Sequence, residues 1–255
     1  MMEKARYRLV INFISAMTLF WITLITLGIL QLSALATTVY LHRAITHRAL
    51  RLHPVVSFLM HLHLMVFTGV IPRQWAAVHR KHHQFSDQEG DPHSPVVRGV
   101  WTVLFANYFL YQREANNPAT IARYTPDYRP DWLDRIPMAA YGVFLGLGIF
   151  MLLFGWLWGV LAWIAHVVLY VLINAMVNSF GHAFGYRTYS NKATNLQWLA
   201  WITAGEGLHN NHHEHPTSAR LSLRRGEFDP AWPFIRLLEK LGLAQVKPEP
   251  IARAA

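Results

Sequence analysis

The sequence predicts an all-α protein that crosses a membrane several times, and three observations support this prediction. Of its 255 residues, 53% are hydrophobic and only 15% are charged, whereas soluble domains usually carry about 25% charged residues. Two long apolar blocks, residues 9–41 and 136–177, each exceed the roughly 20 residues that a membrane-spanning helix needs. The chain has no cysteine, so disulfides and thiolate metal sites are excluded.

The first apolar block has no charged residue from Leu9 to Leu41. As one helix it would be roughly 50 Å long, against about 30 Å of hydrocarbon in a bilayer. We therefore expect one span whose Ser- and Thr-rich second half emerges toward water. Basic residues before the block favour a cytoplasmic amino terminus, which conflicts with a single first span, so a short hairpin within residues 9–41 is the alternative.

The second apolar block is interrupted by FGWLWG at residues 154–159. Glycine and tryptophan in this arrangement predict a tight turn between two helices, whose outer ends would lie on the same side. Two weaker apolar stretches, residues 54–72 and 99–111, lie between the blocks, and we interpret them as interfacial or partly submerged helices.

The polar segments, residues 42–135 and 178–240, carry most of the Lys and Arg and are therefore expected to face the cytoplasm together. We predict a single membrane-embedded domain, residues 1–255, with three or four transmembrane helices and a cytoplasmic-side helical cap. The net charge of +9 does not indicate nucleic-acid binding, because the basic residues flank apolar runs instead of forming a basic tract with aromatic residues.

Histidine is concentrated in three short motifs of the predicted cap. These motifs are HRAITH with His42 and His47, HRKHH with His79, His82 and His83, and HNNHH with His209, His212 and His213. On a helix, positions i, i+3 and i+4 lie within about 100° of one another, so each H-x-x-H-H triplet presents its imidazoles on one face. The histidines of HRAITH would be about 140° apart on an ideal α-helix, so this segment must end or bend near His47.

Each motif follows an apolar segment on the same predicted side, so the imidazoles can meet. Protonated imidazoles would repel one another there, whereas neutral imidazoles bound to metal would not. The number of histidines suits two metal ions. Neutral nitrogen ligands with open positions suit iron in oxygen chemistry, although ligand type alone also allows zinc, copper or nickel.

Four motifs occur in order within roughly residues 38–216: HRAITH, HRKHH followed by FSDQEGDPH, NSFGHAFGYR, and GEGLHNNHHEHP. In these motifs the chain closely resembles the membrane fatty acyl desaturases of the stearoyl-CoA and bacterial acyl-lipid type. The resemblance implies a di-iron centre, with a metal-bound water held by Asn178. The implied metal ligands are His42, His47, His79, His82, His83, His182, His209, His212 and His213.

The resemblance further implies an integral, multi-pass membrane enzyme that uses molecular oxygen. Its reaction would form a cis double bond, typically at the delta-9 position, in a long acyl chain carried by coenzyme A or a lipid. No HPGG-type haem motif is present, so electrons must come from a separate ferredoxin or b-type cytochrome. Two alternatives remain: a di-iron lipid hydroxylase or ketolase, and a non-catalytic membrane metal or haem carrier.

Several further residues have expected supporting roles. Carboxylates often orient metal-bound imidazoles, and Asp87, Asp91 and Glu206 are candidates, with His93 and His215 nearby in sequence. A lone His166 inside an apolar block is expected to be hydrogen-bonded within the protein. The candidate walls of an acyl tunnel, each equally interpretable as an interfacial aromatic, are Trp75, Trp101, Tyr108, Trp198 and Trp201. Candidate contacts for an acidic electron donor or a substrate headgroup are Arg73, Arg80, Lys81, Arg187 and Lys192.

Overall fold

A computed structural model describes residues 2–136 and 139–248. The α-helices in chain order are α1 Met2–Ala36, α2 Pro54–Thr68, α3 Pro72–Phe85, α4 Pro95–Arg98, α5 Val100–Ala115, α6 Pro118–Tyr124, α7 Val143–Phe154, α8 Trp156–Phe180, α9 Gln197–Ile202, α10 His209–Glu214 and α11 Ala231–Lys240. A π-helix covers Thr37–Thr46, and short 3-10 helices cover Leu133–Arg135 and Ala139–Gly142. The remaining regular elements are the strands β1 Leu50–Leu52 and β2 Ala244–Val246.

The described chain is mainly helical, as predicted, but β1 and β2 form a small antiparallel sheet with Leu50 opposite Val246. Three residues are too few to give an alternating pattern that a sequence would reveal. The sheet ties the segment after the π-helix to the segment after α11. Buried residues of both, including Val39 and Ile235, share one hydrophobic cluster with Leu50.

The first apolar block is one continuous helix, α1, that runs directly into the π-helix. The hairpin alternative for residues 9–41 is therefore wrong. Residues Met17–Thr46 form a candidate membrane span by length and composition. Thr26, Ser33 and Thr37 each donate a side-chain hydrogen bond to the carbonyl four residues earlier, which allows these hydroxyls to lie within an apolar environment.

The predicted turn in the second block is confirmed by the break at Gly155, whose φ of 79° favours glycine. Helices α7 and α8 pack against each other at this turn, and a Cβ at Gly159 would collide with the backbone of Phe150 and Met151. Helix α8 is the second candidate span, whereas α7 has only 12 residues. The described chain thus contains two helices that are long and apolar enough to cross a membrane.

Helices α2 and α3 lie at 91° to each other across a short break and count as a third candidate span if the bent pair is taken as one. The break follows Gly69, which has a φ of 66°. His166 on α8 is buried, and its Nε2 lies 3.1 Å from the Phe67 carbonyl at this break. The expectation that His166 is hydrogen-bonded within the protein is therefore confirmed, and the contact supports the bend that directs α3 away from α2.

The histidine motifs meet where the π-helix, α3, α10 and the end of α8 come together. Helix α5 packs along α8 and α3, while the face with Trp101, Phe105 and Phe109 remains exposed. The motifs thus lie at one end of the helical assembly, adjoining the carboxyl end of one candidate span and the π-helical end of the other.

Candidate metal centre

All nine histidines singled out in the sequence lie together, in two groups. The five-histidine group consists of His42, His47, His79, His83 and His212, and the four-histidine group of His82, His182, His209 and His213. Within each group, one ring nitrogen per residue lies within 4.8 Å of all the others. The rings of His83 and His213, one from each group, are stacked at 4.4 Å with an interplanar angle of 15°, so the two groups are in direct contact.

The histidines of two of the sequence motifs are divided between the two groups. On α3, His79 and His83 belong to the five-histidine group and His82 to the other. On α10, His209 and His213 belong to the four-histidine group and His212 to the other. Each helix therefore contributes an i, i+4 pair to one group and a single histidine to the neighbouring group. The prediction that each triplet shares a helix face did not indicate this division.

The π-helix explains how the loosely spaced motif HRAITH contributes two histidines to one group. Its i→i+5 hydrogen bonding, continued by the His47 amide donating to the His42 carbonyl at 3.0 Å, places residues five apart above one another. The two imidazole rings lie 4.8 Å apart. The predicted bend near His47 is thus achieved by a change in helix type across the whole motif.

In the five-histidine group, contact is made through Nε2 atoms. The Nε2 of His212 lies 2.9 Å from that of His42 and 2.8 Å from that of His83. The Nε2 of His79 lies 3.0 Å from that of His47 and 3.0 Å from that of His83. With metal–nitrogen bonds of about 2.1 Å, two nitrogens at right angles around one ion are about 3.0 Å apart, so these separations suit nitrogens that share an ion.

The four-histidine group has a similar arrangement with one difference. The Nε2 of His213 lies 3.2 Å from that of His82 and 3.1 Å from that of His209. The Nε2 of His182 is buried and has no hydrogen-bond partner among the described residues. An unpartnered buried nitrogen is costly, and a cation at the centre of the group would remove that cost.

Three buried carboxylates orient three of the imidazoles from behind. His42 Nδ1 lies 2.7 Å from Glu206, His82 Nδ1 lies 3.0 Å from both Asp91 oxygens, and His182 Nδ1 lies 2.8 Å from Asp87. An ionised carboxylate only accepts, so each Nδ1 must carry the proton, and the Nε2 lone pair of the neutral ring points into its group. These acidic residues therefore contact the histidines they were expected to orient.

Burial sets the charge state of this region. Burial first, and neighbouring imidazoles second, hold the pKa of His209, His212 and His213 well below the ordinary histidine value. Burial would raise the pKa of Asp91, but its interactions with His82 and His93 together outweigh burial and lower the pKa. Burial would also raise the pKa of Glu206, and its interactions with His42, Arg43 and Thr38 together lower it. Neutral imidazoles backed by ionised carboxylates form the donor set that a transition metal requires.

A cavity of about 470 Å³ adjoins the histidines. His79, Asn178 and Glu206 line it together with apolar residues such as Phe67 and Val167. Volumes of this order hold small ligands, and the lining residues come from α2, α3, α5 and α8. Asn178 lies at this wall, where its Nδ2 donates to Asn107 Oδ1 at 3.2 Å.

The remaining predicted residues lie in different places. Two of the five candidate tunnel walls, Trp75 and Tyr108, line the cavity. The other three are exposed and line no described cavity: Trp101, Trp198 and Trp201. His93 is buried beside His82, with ring centroids 4.8 Å apart, and His215 instead contacts Tyr189. Of the basic residues, Arg80 pairs with Asp127 and Lys81 with Glu114.

Sequence reasoning missed a buried ion pair behind the five-histidine group. Arg43, inside HRAITH, pairs with Asp229, which lies outside every motif. The only sequence signal was an arginine in a segment that the structure buries. Such a residue needs a partner, but its partner could not be named without coordinates.

Fold and site together define a helical protein in which two adjacent groups of histidines fit metal binding and one of them borders a largely apolar cavity. The chain belongs to the fatty acid desaturase family, since the family model for fatty acid desaturase matches residues 16–236.

Relatives with assigned names are similar over most of the chain. An sn-1 stearoyl-lipid 9-desaturase from Anabaena variabilis is 32% identical over 90% of this chain and 81% of its own length. Delta-9 acyl-lipid desaturase 2 from Arabidopsis thaliana is 30% identical over 88% and 73%, respectively. An acyl-CoA C20 Delta5-desaturase from Anemone leveillei is 31% identical over 82% and 67%. The chain is accordingly an oxidoreductase of the desaturase type, and its cavity is suited to an acyl substrate.

Proposed function

We propose that this protein introduces a cis double bond at the delta-9 position of a long saturated acyl chain, using molecular oxygen and two iron ions. The observation that carries the proposal is the contact of the cavity with the five-histidine group, through His79, beside the adjoining four-histidine group. Support for delta-9 comes from relatives named as stearoyl-lipid 9-desaturase and delta-9 acyl-lipid desaturase.

We further propose that all nine histidines are iron ligands. The five-histidine group would hold one ion, and the four-histidine group, with a water held by Asn178, the other. The bound irons would supply the oxygen-activating chemistry that unactivated C–H bonds require, because no side-chain base can remove such hydrogens. Only nitrogen donors face the centre of each group, and this donor set suits iron among several transition metals.

The chain's own residues position the substrate. The cavity walls of α2, α5 and α8 would hold the acyl chain away from water, with one pair of methylenes beside His79 and Asn178. The carboxylates of Asp87, Asp91 and Glu206 fix the imidazoles, so the protein need not reorganise during the reaction. The carrier is proposed to be a lipid ester or coenzyme A, since relatives of both kinds are named.

We propose that the protein crosses the membrane with α1 and its π-helical continuation and with α8, and that the bent α2–α3 pair enters the membrane from the side of the histidines and returns to it. Apolar residues on the outward faces of α7 and α8, such as Leu152 at 89% and Trp156 at 73% exposure, favour contact with lipid. The histidine-bearing cap would face the cytoplasm, where a separate ferredoxin or b-type cytochrome supplies electrons.

Fatty-acid profiling of a desaturase-deficient host that expresses the protein tests the proposal. We expect a new monounsaturated fatty acid whose double bond lies at carbon 9, and none with His212→Ala at equal expression. Hydroxylated or keto fatty acids would instead identify the hydroxylase alternative. An unchanged lipid profile from expressed, metal-loaded protein would contradict the desaturase proposal and favour a metal carrier.

A further inference from the structure

The segment 227–229, which lies outside all four histidine-bearing motifs, contacts the first motif and the last. Glu227 Oε2 accepts a hydrogen bond at 2.8 Å from Asn211, which lies between the histidines of α10. Asp229 accepts two hydrogen bonds from Arg43, at 2.8 and 3.0 Å, next to His42 on the π-helix. We call residues 227–229 the bracket, because they join the two ends of the histidine site.

The bracket is itself held rigidly. Phe228 between the two acids stacks on Trp201 with ring centroids 4.6 Å apart. The Phe228 amide donates to the Gln197 side chain at 2.9 Å, and the Phe228 carbonyl accepts from it at 2.8 Å. The backbone between the two acidic side chains is therefore attached to α9 by two hydrogen bonds and one ring contact.

The ion pair is completely enclosed. Arg43 and Asp229 are each 1% exposed. The Asp229 carboxylate also accepts from the amides of Leu221 and Ala231, at 2.9 and 3.1 Å, and Arg43 donates to the Ala219 carbonyl at 2.8 Å. Position 205 requires glycine, because a Cβ there would collide with Asp229 Oδ1 and Arg43 Nη2.

An enclosed ion pair is a poor source of fold stability, because the cost of desolvating both charges offsets their attraction. Two apolar side chains of similar size would avoid this cost, although the amides of Leu221 and Ala231 and the Ala219 carbonyl would lose their partners. The pair also fixes an orientation, because a bidentate contact holds the guanidinium, and through it the π-helix, in one arrangement. A π-helix of this length is rare, and it is the conformation that places His42 and His47 together.

We propose that Asp229 is a positioning residue for the five-histidine group, acting through Arg43 to hold the π-helical turn that aligns His42 with His47. The inference rests on the proposed function, in that each histidine group binds a metal ion. The Asp229 side chain touches neither the cavity nor a histidine, so its effect on metal binding is exerted through Arg43.

The test is a cobalt(II) titration of the purified, metal-free, full-length protein, followed by visible absorption. In wild type we expect two bound ions. Asp229→Asn should weaken one of them about 10- to 100-fold, the usual effect of removing a group that supports a ligand. Glu239→Gln, which removes the negative charge of the Arg236–Glu239 pair on α11, outside both histidine groups, is the control and should bind both ions normally.

The affected ion is identified by repeating Asp229→Asn in two backgrounds. In His213→Ala, which retains an intact five-histidine group, Asp229→Asn should remove the remaining tight binding. In His212→Ala, which retains an intact four-histidine group, it should change nothing. Equal weakening in both backgrounds would overturn the inference.

A double variant separates positioning from stability. Arg43→Met with Asp229→Leu removes both charges, and its melting temperature should exceed that of Asp229→Asn, which leaves the Arg43 charge buried without a counter-charge. Regained stability with cobalt binding still weakened supports the positioning role, whereas regained stability with wild-type cobalt binding overturns it. Two ions bound normally by Asp229→Asn would overturn this inference alone, while no cobalt binding by wild type would overturn the proposed function with it.

Discussion

The two histidine groups differ in what holds their imidazoles in place. In the five-histidine group, His79 and His83 come from α3, His42 comes from the π-helix and His47 directly follows it, and one of the five, His42, has a carboxylate behind it. In the four-histidine group, two of the four rings, His82 and His182, are backed by Asp91 and Asp87. Both of these acids lie on the loop between α3 and α4, and Asp87 adopts a φ of 59°.

Different interactions therefore order two neighbouring groups of one protein. Helix geometry and ring packing order the five-histidine group, so its precision depends on the relative placement of the helices. Carboxylates on a strained loop order the four-histidine group, so its precision depends on charge-assisted hydrogen bonds. A left-handed conformation at a non-glycine residue is costly, and at Asp87 it aims the carboxylate at His182.

The largest expected effect comes from His212 and His213, consecutive residues that serve different groups. His212→Ala should remove one metal ion from the five-histidine group, and His213→Ala one from the four-histidine group. Because the proposed reaction needs both ions, each variant should lose desaturation to background. Metal analysis of the purified proteins should find about one ion per chain, compared with two in wild type. Activity retained in either variant would show that one group is dispensable.

A smaller effect is expected from the carboxylates. Asp91→Asn should weaken metal binding by the four-histidine group about 10- to 100-fold, and Glu206→Gln should do the same to the five-histidine group. Each amide keeps the size of the side chain but no longer favours a protonated Nδ1 on the imidazole it faces. Cobalt titration measures both sites in each variant. If both variants weakened both sites equally, the two groups would not be supported independently.

The smallest effect is expected at Ser86, whose Oγ lies 3.4 Å from His213 Nδ1. This contact is long and lacks a charged partner, so Ser86→Ala should change metal affinity and turnover less than about twofold, within the range of ordinary surface-type substitutions. Turnover measured in membranes beside Asp91→Asn makes the comparison direct. An effect of Ser86→Ala as large as that of Asp91→Asn would show that hydrogen bonding, not charge, orients this group.

Much of the fold and site followed from local pattern. The apolar blocks predicted α1, α7 and α8, and the glycine-containing interruption predicted the break at Gly155. The i, i+3, i+4 spacing of the triplets predicted that α3 and α10 each present three histidines on one face. His182, by contrast, stands alone in its segment and was singled out only by resemblance to a family.

Other features had no local signal. The π-helix follows from contacts between HRAITH and segments more than 150 residues away, including Glu206 and Asp229. The partner of Arg43 could not be named, since any of several acids might have been brought near it by folding. Sequence did not separate tunnel walls from interfacial aromatic residues, because residue type does not tell which face of a helix borders a cavity; the exposure of Trp101, Trp198 and Trp201 favours the interfacial alternative for these three.

Residue chemistry and periodicity alone determined that this protein is helical, apolar, free of thiolates and equipped with clustered neutral nitrogen donors, because these properties depend on each residue and its near neighbours. Only the tertiary structure decided how nine imidazoles divide into five and four, which carboxylate backs which ring, and which side chains line the cavity. The reason is physical: helical spacing relates residues within a turn or two, whereas partners across motifs are chosen by how distant segments pack.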